Sequence, residues 1–353
     1  MYRLLWTAEY DPEWEATFQK NFEVKRAGFN IHNTHYNYLS EDELIEALEG
    51  IDIFFVGYDK ITERVLKSSP DLKLILSVRD GPEENIDLSA CKAFGIPVLN
   101  SAGRCTMSVS ELTFNLIMNM ARPTIMLNNI MRGEGWTKDN ALKLRSTVET
   151  YSFELYRKTL GIVGLGRNGQ RLAEYGLAFG MQVVAYDPFV DAEAMLAKNI
   201  RMMELDDVLR ESDYISILAR VTEENQNMIG AEQFNLMKPT AGFVNTGRAA
   251  LVDTEALKNA LNTDQIRIAA IDVFKPEPLG PNDTYYDIPQ HKLIMTSHGA
   301  GFTNERVWHQ YNIGMDNLEK FLNGEALQNN YTRGVEDTEA YRERGAKLFG
   351  AWK

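Results

Sequence analysis

Three ionisable residues each lie just past a short apolar run that reads as a β-strand. Arg248 follows 242–245 in Asn245-Thr246-Gly247-Arg248, Glu277 follows 268–273, and His298 follows 293–296 in Ser297-His298-Gly299-Ala300-Gly301. Ligands of open α/β sheets bind beyond the carboxyl ends of the strands, so the three are expected to face one crevice. Their types suit one reaction. Oxidising a secondary alcohol by hydride transfer needs a base for the hydroxyl proton, and the reverse direction needs an acid. A histidine, which titrates near neutral pH, serves both. A carboxylate paired to the imidazole would orient it and stabilise the imidazolium. Arginine offers a planar fork for a substrate carboxylate and can polarise the neighbouring carbonyl. The redox chemistry belongs to a cofactor, and no metal is required.

The stretch that would hold that cofactor runs from Leu160 through Gly164, Gly166 and Gly169 to Asp187. The spacing is G-x-G-x-x-G, which by itself is weak evidence. Here an apolar strand (159–163) precedes it, a helical pattern with Leu172, Gly176 and Phe179 follows, and a second strand (181–186) closes a βαβ unit. Gly164 allows the tight turn, Gly166 lets the backbone approach a pyrophosphate, and Gly169 lets helix and strand pack closely. The helix N-terminus receives the phosphate charge. Asp187, at the end of the second strand, can accept hydrogen bonds from both ribose hydroxyls and would repel a 2′-phosphate, which favours NAD over NADP.

At 353 residues the chain should hold about two domains. A net charge of −13 opposes binding to nucleic acid or an anionic membrane surface. Cys91 and Cys105 form no CxxC and no disulfide framework, and the N-terminus lacks a long apolar segment, so a cytoplasmic protein is expected. His32 and His35 read as polar surface histidines, because no acidic or thiol partner accompanies them. His291 and His309 suggest no chemistry. The methionines 118, 120, 126 and 131 read as core or subunit packing. Arg79 and Arg104 either bind a substrate phosphate or pair with a local carboxylate.

Residues 1 to about 105 alternate strand and helix: strands at 3–6, 51–58, 72–78 and 96–99, helices at 41–48, 61–66 and 88–94. That alternation implies a parallel sheet covered by helices. The pattern at 108–120 is a helix apolar nearly all round, expected to be buried between domains or against another subunit. The polar segment 132–158 is expected to wrap the surface. Beyond the fingerprint, strands are expected at 214–218, 242–245, 268–273 and 293–296, with helices at 204–210, 254–261 and finally 304–322.

These motifs together resemble the D-isomer-specific 2-hydroxyacid dehydrogenase family, over roughly residues 50 to 320. Leu160–Gly169 resembles its nucleotide fingerprint, Val244–Arg248 with Val252-Asp253 its arginine motif, Asp272–Pro278 its glutamate motif and His298–Gly301 its histidine motif. Asn85-Ile86-Asp87, Gly95–Val98 and Asn100 with Gly103 match its N-terminal pattern. The resemblance implies two Rossmann-like or flavodoxin-like α/β domains with parallel sheets. A substrate domain (1–107 with 303–353) would carry an inserted NAD-binding domain (108–302). It implies that Arg248, Glu277 and His298 are the catalytic residues. Gly164, Gly166, Arg167, Asn168, Gly169, Asp187, Ala219, Thr246, Asp272 and Gly301 would contact the cofactor, and the loop Arg79-Asp80-Gly81 would present N–H groups to the substrate carboxylate. It also implies a small 2-hydroxy or 2-keto acid as partner and a homodimer joined through the NAD-binding domains.

Two departures stand out. The substrate loop commonly alternates small residues with glycine, whereas this chain has Arg79, Asp80 and Pro82, and Leu218 replaces a common histidine. Residues after about 325 extend past the usual core but are too few for the serine-binding regulatory domain of long phosphoglycerate dehydrogenases. NAD(H)-sensing corepressors share the fold and motifs and provide the rival, non-enzymatic reading. Glu277 argues against the related formate dehydrogenases, which have no proton to relay.

Overall fold

The computed structural model describes residues 1–28, 38–323, 325, 330–335 and 338–343. His32 and His35 lie outside the described residues. The chain divides into two compact units: Met1–Cys105 with the described residues from Thr303 onward, and Thr106–Phe302.

Unit 1 opens with β1 (Tyr2–Trp6), α1 (Pro12–Asn21) and β2 (Phe22–Arg26). The sequence pattern at 12–26 had announced neither α1 nor β2. α1 is started by local chemistry rather than by periodicity: the Asp11 carboxylate accepts from the N–H groups of Glu13 and Trp14, and Pro12 fits the first turn. Then follow α2 (Glu41–Ala47), β3 (Ile53–Val56), α3 (Glu63–Lys67), β4 (Leu74–Ser77), α4 (Leu88–Ala93) and β5 (Val98–Asn100). Ser40 and Glu43 form a reciprocal capping box on α2. All five strands are parallel, in the order β2-β1-β3-β4-β5, which is a flavodoxin-like arrangement. β3 (IFFV) and β4 (LILS) are buried at every position, because helices cover both faces of the sheet.

Unit 2 begins with α5 (Thr106–Ala121), α6 (Thr124–Glu134) and α7 (Ala141–Tyr151). The expected burial of α5 is supplied by its own unit: Phe114, Leu116, Ile117, Met120 and Ala121 join the core beside the sheet. Met118 is partly buried there, whereas Met131 is exposed. The segment 132–158 is mostly exposed and largely helical. It holds the end of α6 and all of α7, and its polarity reflects that exposure.

The sheet then builds from β6 (Thr159–Val163), α8 (Arg167–Ala178), β7 (Gln182–Tyr186), α9 (Ala192–Leu196), β8 (Ile200–Met202), α10 (Leu205–Glu211) and β9 (Tyr214–Ile217). α11 (Ala231–Leu236), β10 (Gly242–Asn245), α12 (Thr254–Asn262), β11 (Ile268–Ile271) and β12 (Leu293–Met295) complete it. The strand order is β12-β11-β10-β9-β6-β7-β8, all parallel. Alternate residues enter opposite cores: Leu160, Ile162, Val244 and Ala270 on one face, Val163, Phe243 and Ala269 on the other. The order reverses between β6 and β9, and that switch point opens the crevice at the strand ends.

The last helix, α13 (Glu305–Leu322), belongs to unit 1. Tyr311 packs edge-on against Trp6, Phe18 and Phe55, takes a hydrogen bond from Trp6 Nε1 at 3.0 Å and donates to the Glu9 carbonyl. Beside it Arg306 and Glu9 form a buried ion pair.

Candidate active site

The three strands that precede Arg248, Glu277 and His298 are adjacent, in the order β10-β11-β12. His298 Nδ1 lies 2.6 Å from Glu277 Oε2, and Glu277 Oε1 accepts from the Phe274 N–H at 2.6 Å. One carboxylate therefore holds both the imidazole and its own loop. The pair is half open to solvent, with 48% of the His298 side chain and 34% of the Glu277 side chain exposed. Arg248 is exposed at the end of β10, and its Nη1 donates to the Gly247 carbonyl at 2.9 Å. Among the described residues no hydrogen bond joins it to Glu277 or His298.

His298 adopts a positive φ of 53°, a conformation that a non-glycine residue holds only when its surroundings enforce it. Asp272 does the enforcing. It is fully buried at the end of β11, and its carboxylate accepts from Thr296 Oγ1 at 2.6 Å, Gly299 N at 2.9 Å and Ala300 N at 3.0 Å. In this arrangement the carboxylate brackets the histidine loop from both sides.

The glycine-rich turn leads from β6 into α8. Gly164 has φ +96°, and a Cβ there would lie 2.5 Å from Ala219 Cα. A Cβ on Gly169 would meet the Gly164 carbonyl oxygen, so the helix packs directly on the turn. At Gly166, the N-cap of α8, a Cβ would meet nothing within 4 Å. That open space before the N-terminus of a twelve-residue helix fits a pyrophosphate. Asp187 accepts from Leu165 N at 2.8 Å and Phe189 N at 2.9 Å, which ties the end of β7 to the glycine turn. Arg167 and Asn168 form the first turn of α8, and Thr246 directly follows β10.

Two buried hydroxyls of α5, which no sequence motif marks, also reach this region. Ser110 Oγ donates to the Asn168 carbonyl at 3.0 Å, and Thr113 Oγ1 lies 2.6 Å from Thr246 Oγ1. Hydroxyls one turn apart on an apolar helix were the available signal.

In unit 1, the loop Arg79-Asp80-Gly81 follows β4. Asp80 Oδ1 accepts from Gly103 N at 3.0 Å, and the Asp80 carbonyl accepts from Asn100 Nδ2 at 3.1 Å. Arg79 pairs with the local carboxylate Glu84 and lies 5.2 Å from the Tyr58 ring centre. Arg104 Nη1 donates to Gln310 Oε1 at 2.7 Å. Burial pushes the neighbouring Cys105 thiol up, against the pull of Arg104.

Among the described residues no group of three or more His, Cys, Asp or Glu could hold a metal ion. No described helix is long and apolar enough to cross a membrane.

Residues 114–300 match the family model described as D-isomer specific 2-hydroxyacid dehydrogenase, NAD binding domain. A glyoxylate reductase of Aeropyrum pernix is 33% identical over 337 residues, 94% of this chain and 96% of that protein. A D-3-phosphoglycerate dehydrogenase of Methanocaldococcus jannaschii is 33% identical over 82% of this chain, which spans only 53% of that longer relative. Among solved structures, the D-lactate dehydrogenase of Aquifex aeolicus complexed with NAD and lactic acid superposes with a TM-score of 0.69 at 29% identity, covering 92% of this chain and 96% of that one. With a family model that matches more than half of its residues and a relative aligned along nearly its whole length, the chain belongs to the D-isomer specific 2-hydroxyacid dehydrogenase family and is an NAD-dependent enzyme.

Proposed function

We propose that the enzyme interconverts a small D-2-hydroxy acid and its 2-keto acid, with His298 as general acid and base, Glu277 orienting it, and Arg248 binding the substrate carboxylate and carbonyl. The observation that carries this reading is the 2.6 Å contact between His298 Nδ1 and Glu277 Oε2. A carboxylate can only accept, so Nδ1 bears a proton and donates it to Glu277. In the neutral imidazole Nε2 is then the basic nitrogen, able to take the hydroxyl proton as the alcohol is oxidised. In the reverse direction the imidazolium returns a proton from Nε2 to the carbonyl oxygen, and Glu277 stabilises that cation. NAD(H), when bound, takes or supplies the hydride. Arg248 offers two parallel donors to a carboxylate. Gly164, Gly166, Arg167, Asn168, Gly169, Asp187, Ala219, Thr246, Asp272 and Gly301 line the cofactor site in this reading. The loop Arg79-Asp80-Gly81 receives the substrate carboxylate.

Small 2-keto acids are the first substrates to try, since relatives carry the names glyoxylate reductase and hydroxypyruvate reductase. The protein acts as a homodimer joined through unit 2. In support, α6 buries none of its residues within the chain, and Trp136 and Leu142 are 72% and 81% exposed on the α6–α7 segment. A cytoplasmic setting fits two free cysteines.

The test is NADH oxidation with glyoxylate, hydroxypyruvate, pyruvate and phosphohydroxypyruvate, for the wild type and His298→Ala. Turnover on at least one acid is expected, with loss of at least a hundredfold in the variant and little change in NADH affinity. Retained turnover in His298→Ala would remove the histidine from the mechanism. Tight NADH binding with no turnover on any acid would favour a cofactor-sensing role instead.

A further inference from the structure

The two hydroxyls on α5 carry information beyond their packing. Ser110 and Thr113 are both fully buried, where an unpaired hydroxyl would be costly. Thr113 Oγ1 donates to the Val109 carbonyl, one turn back, at 2.6 Å. It also lies 2.6 Å from Thr246 Oγ1. A hydroxyl has one proton, and a carbonyl oxygen can only accept. The Thr113 proton is therefore committed to Val109, and the proton between the two threonines belongs to Thr246. Thr246, whose residue is 5% exposed, keeps only lone pairs for any third group.

Asp272, at the end of the neighbouring strand β11, is fully buried, and both of its oxygens already receive hydrogen bonds from Thr296, Gly299 and Ala300. Thr246 is, among the described residues, a side-chain acceptor at these strand ends whose polarity is set from behind and whose lone pairs no other hydrogen bond uses. From this geometry we propose that Thr113 is a positioning residue: it fixes Thr246 as an acceptor, so that Thr246 takes a hydrogen bond from the carboxamide N–H of bound nicotinamide and sets which way round that amide lies. The proposal rests on the reading of Thr246 as a cofactor contact. It has a corollary. A substrate carboxylate or keto oxygen also only accepts, so Thr246 turns it away and leaves it to Arg248.

The experiment uses two reduced cofactors, NADH and its 3-acetylpyridine analogue, whose acetyl group keeps the carbonyl but lacks the N–H. Calorimetry gives the dissociation constant of each for the wild type, Thr246→Val, Thr113→Val and Thr113→Ser. Valine matches threonine in shape, which preserves the packing, and serine preserves the hydroxyl. The wild type and Thr113→Ser are expected to prefer NADH roughly tenfold, about the worth of one net hydrogen bond. Thr246→Val should erase the preference. Thr113→Val leaves Thr246 in place but frees its proton, so the preference should shrink or reverse towards the acetyl analogue. A purely structural role would weaken both ligands alike and leave their ratio unchanged in Thr113→Val, which would overturn the proposal. Wild-type affinity for both ligands in Thr246→Val would instead overturn the underlying reading of Thr246 as a cofactor contact.

Discussion

Alanine at Gly164 should destabilise the protein with no ligand present, whereas alanine at Gly166 should weaken cofactor binding and little else. The backbone at Gly164 has φ +96°, and an added Cβ would lie 2.5 Å from Ala219 Cα and 2.7 Å from the Leu218 carbonyl carbon. Both obstacles are backbone at the end of β9, so no rotamer change relieves them. A left-handed conformation costs an L-residue about 1–2 kcal/mol, and forcing packed backbone apart adds about 1–3 kcal/mol. The expected loss is about 2–5 kcal/mol in all, or a fall of roughly 5–20 °C in the midpoint for a unit of this size. Gly166 differs on both counts. Its φ is −69°, and a Cβ there meets nothing within 4 Å. Alanine at that position should leave the melting temperature unchanged or slightly raised, since it restricts the unfolded chain. The methyl group would occupy the space assigned to the pyrophosphate, so the dissociation constant for NADH should rise at least tenfold. Thermal unfolding without cofactor and calorimetric titration with NADH separate the two effects. A Gly164→Ala protein that melts within about 2 °C of wild type would refute the steric reasoning. Wild-type NADH affinity in Gly166→Ala would remove that glycine from the cofactor cradle.

Other consequences follow from the same geometry. Glu277→Gln keeps the side-chain shape but removes the charge that supports the imidazolium; turnover should fall about tenfold to a hundredfold, the scale of a half-exposed charge-assisted hydrogen bond, with NADH affinity unchanged in the same preparation. Asp272→Ala strands the Thr296 hydroxyl and the Gly299 and Ala300 N–H groups; a loss of about 2–4 kcal/mol in urea unfolding is expected, and a change below about 0.5 kcal/mol would contradict its bracing role. Burial, with a smaller contribution from Asp87, pushes the Cys91 thiol up to about 12. At pH 8 it is therefore almost wholly protonated, and a thiol reagent should modify Cys91 only after denaturant is added.

The sequence alone was enough to read the strand, glycine turn and helix of the candidate cofactor site, because local backbone demands are written in single residues. Gly164 must be glycine where φ is positive. An apolar strand must precede it and a helix N-terminus must follow, and all three lie within a dozen consecutive positions. Residue type also pointed to the proposed acid–base set, since a histidine, a glutamate and an arginine past three apolar runs have few uses in common. Other features were not legible. α1 and β2 depend on the Asp11 cap and on pairing with β1, signals that a hydrophobic period does not register. The apolar girth of α5 could not say which surface would bury it, and only packing against the sheet of its own unit decided that. That Arg79 pairs with Glu84 depended on the two side chains meeting after the chain folded. The tertiary structure alone brought Asp272 beneath the histidine loop and Thr113 behind Thr246, because hydrogen bonds between residues 24 to 133 positions apart leave no local pattern in the chain. Local conformation follows from each residue and its neighbours, whereas proton direction and bracing depend on groups that meet only when the sheet closes.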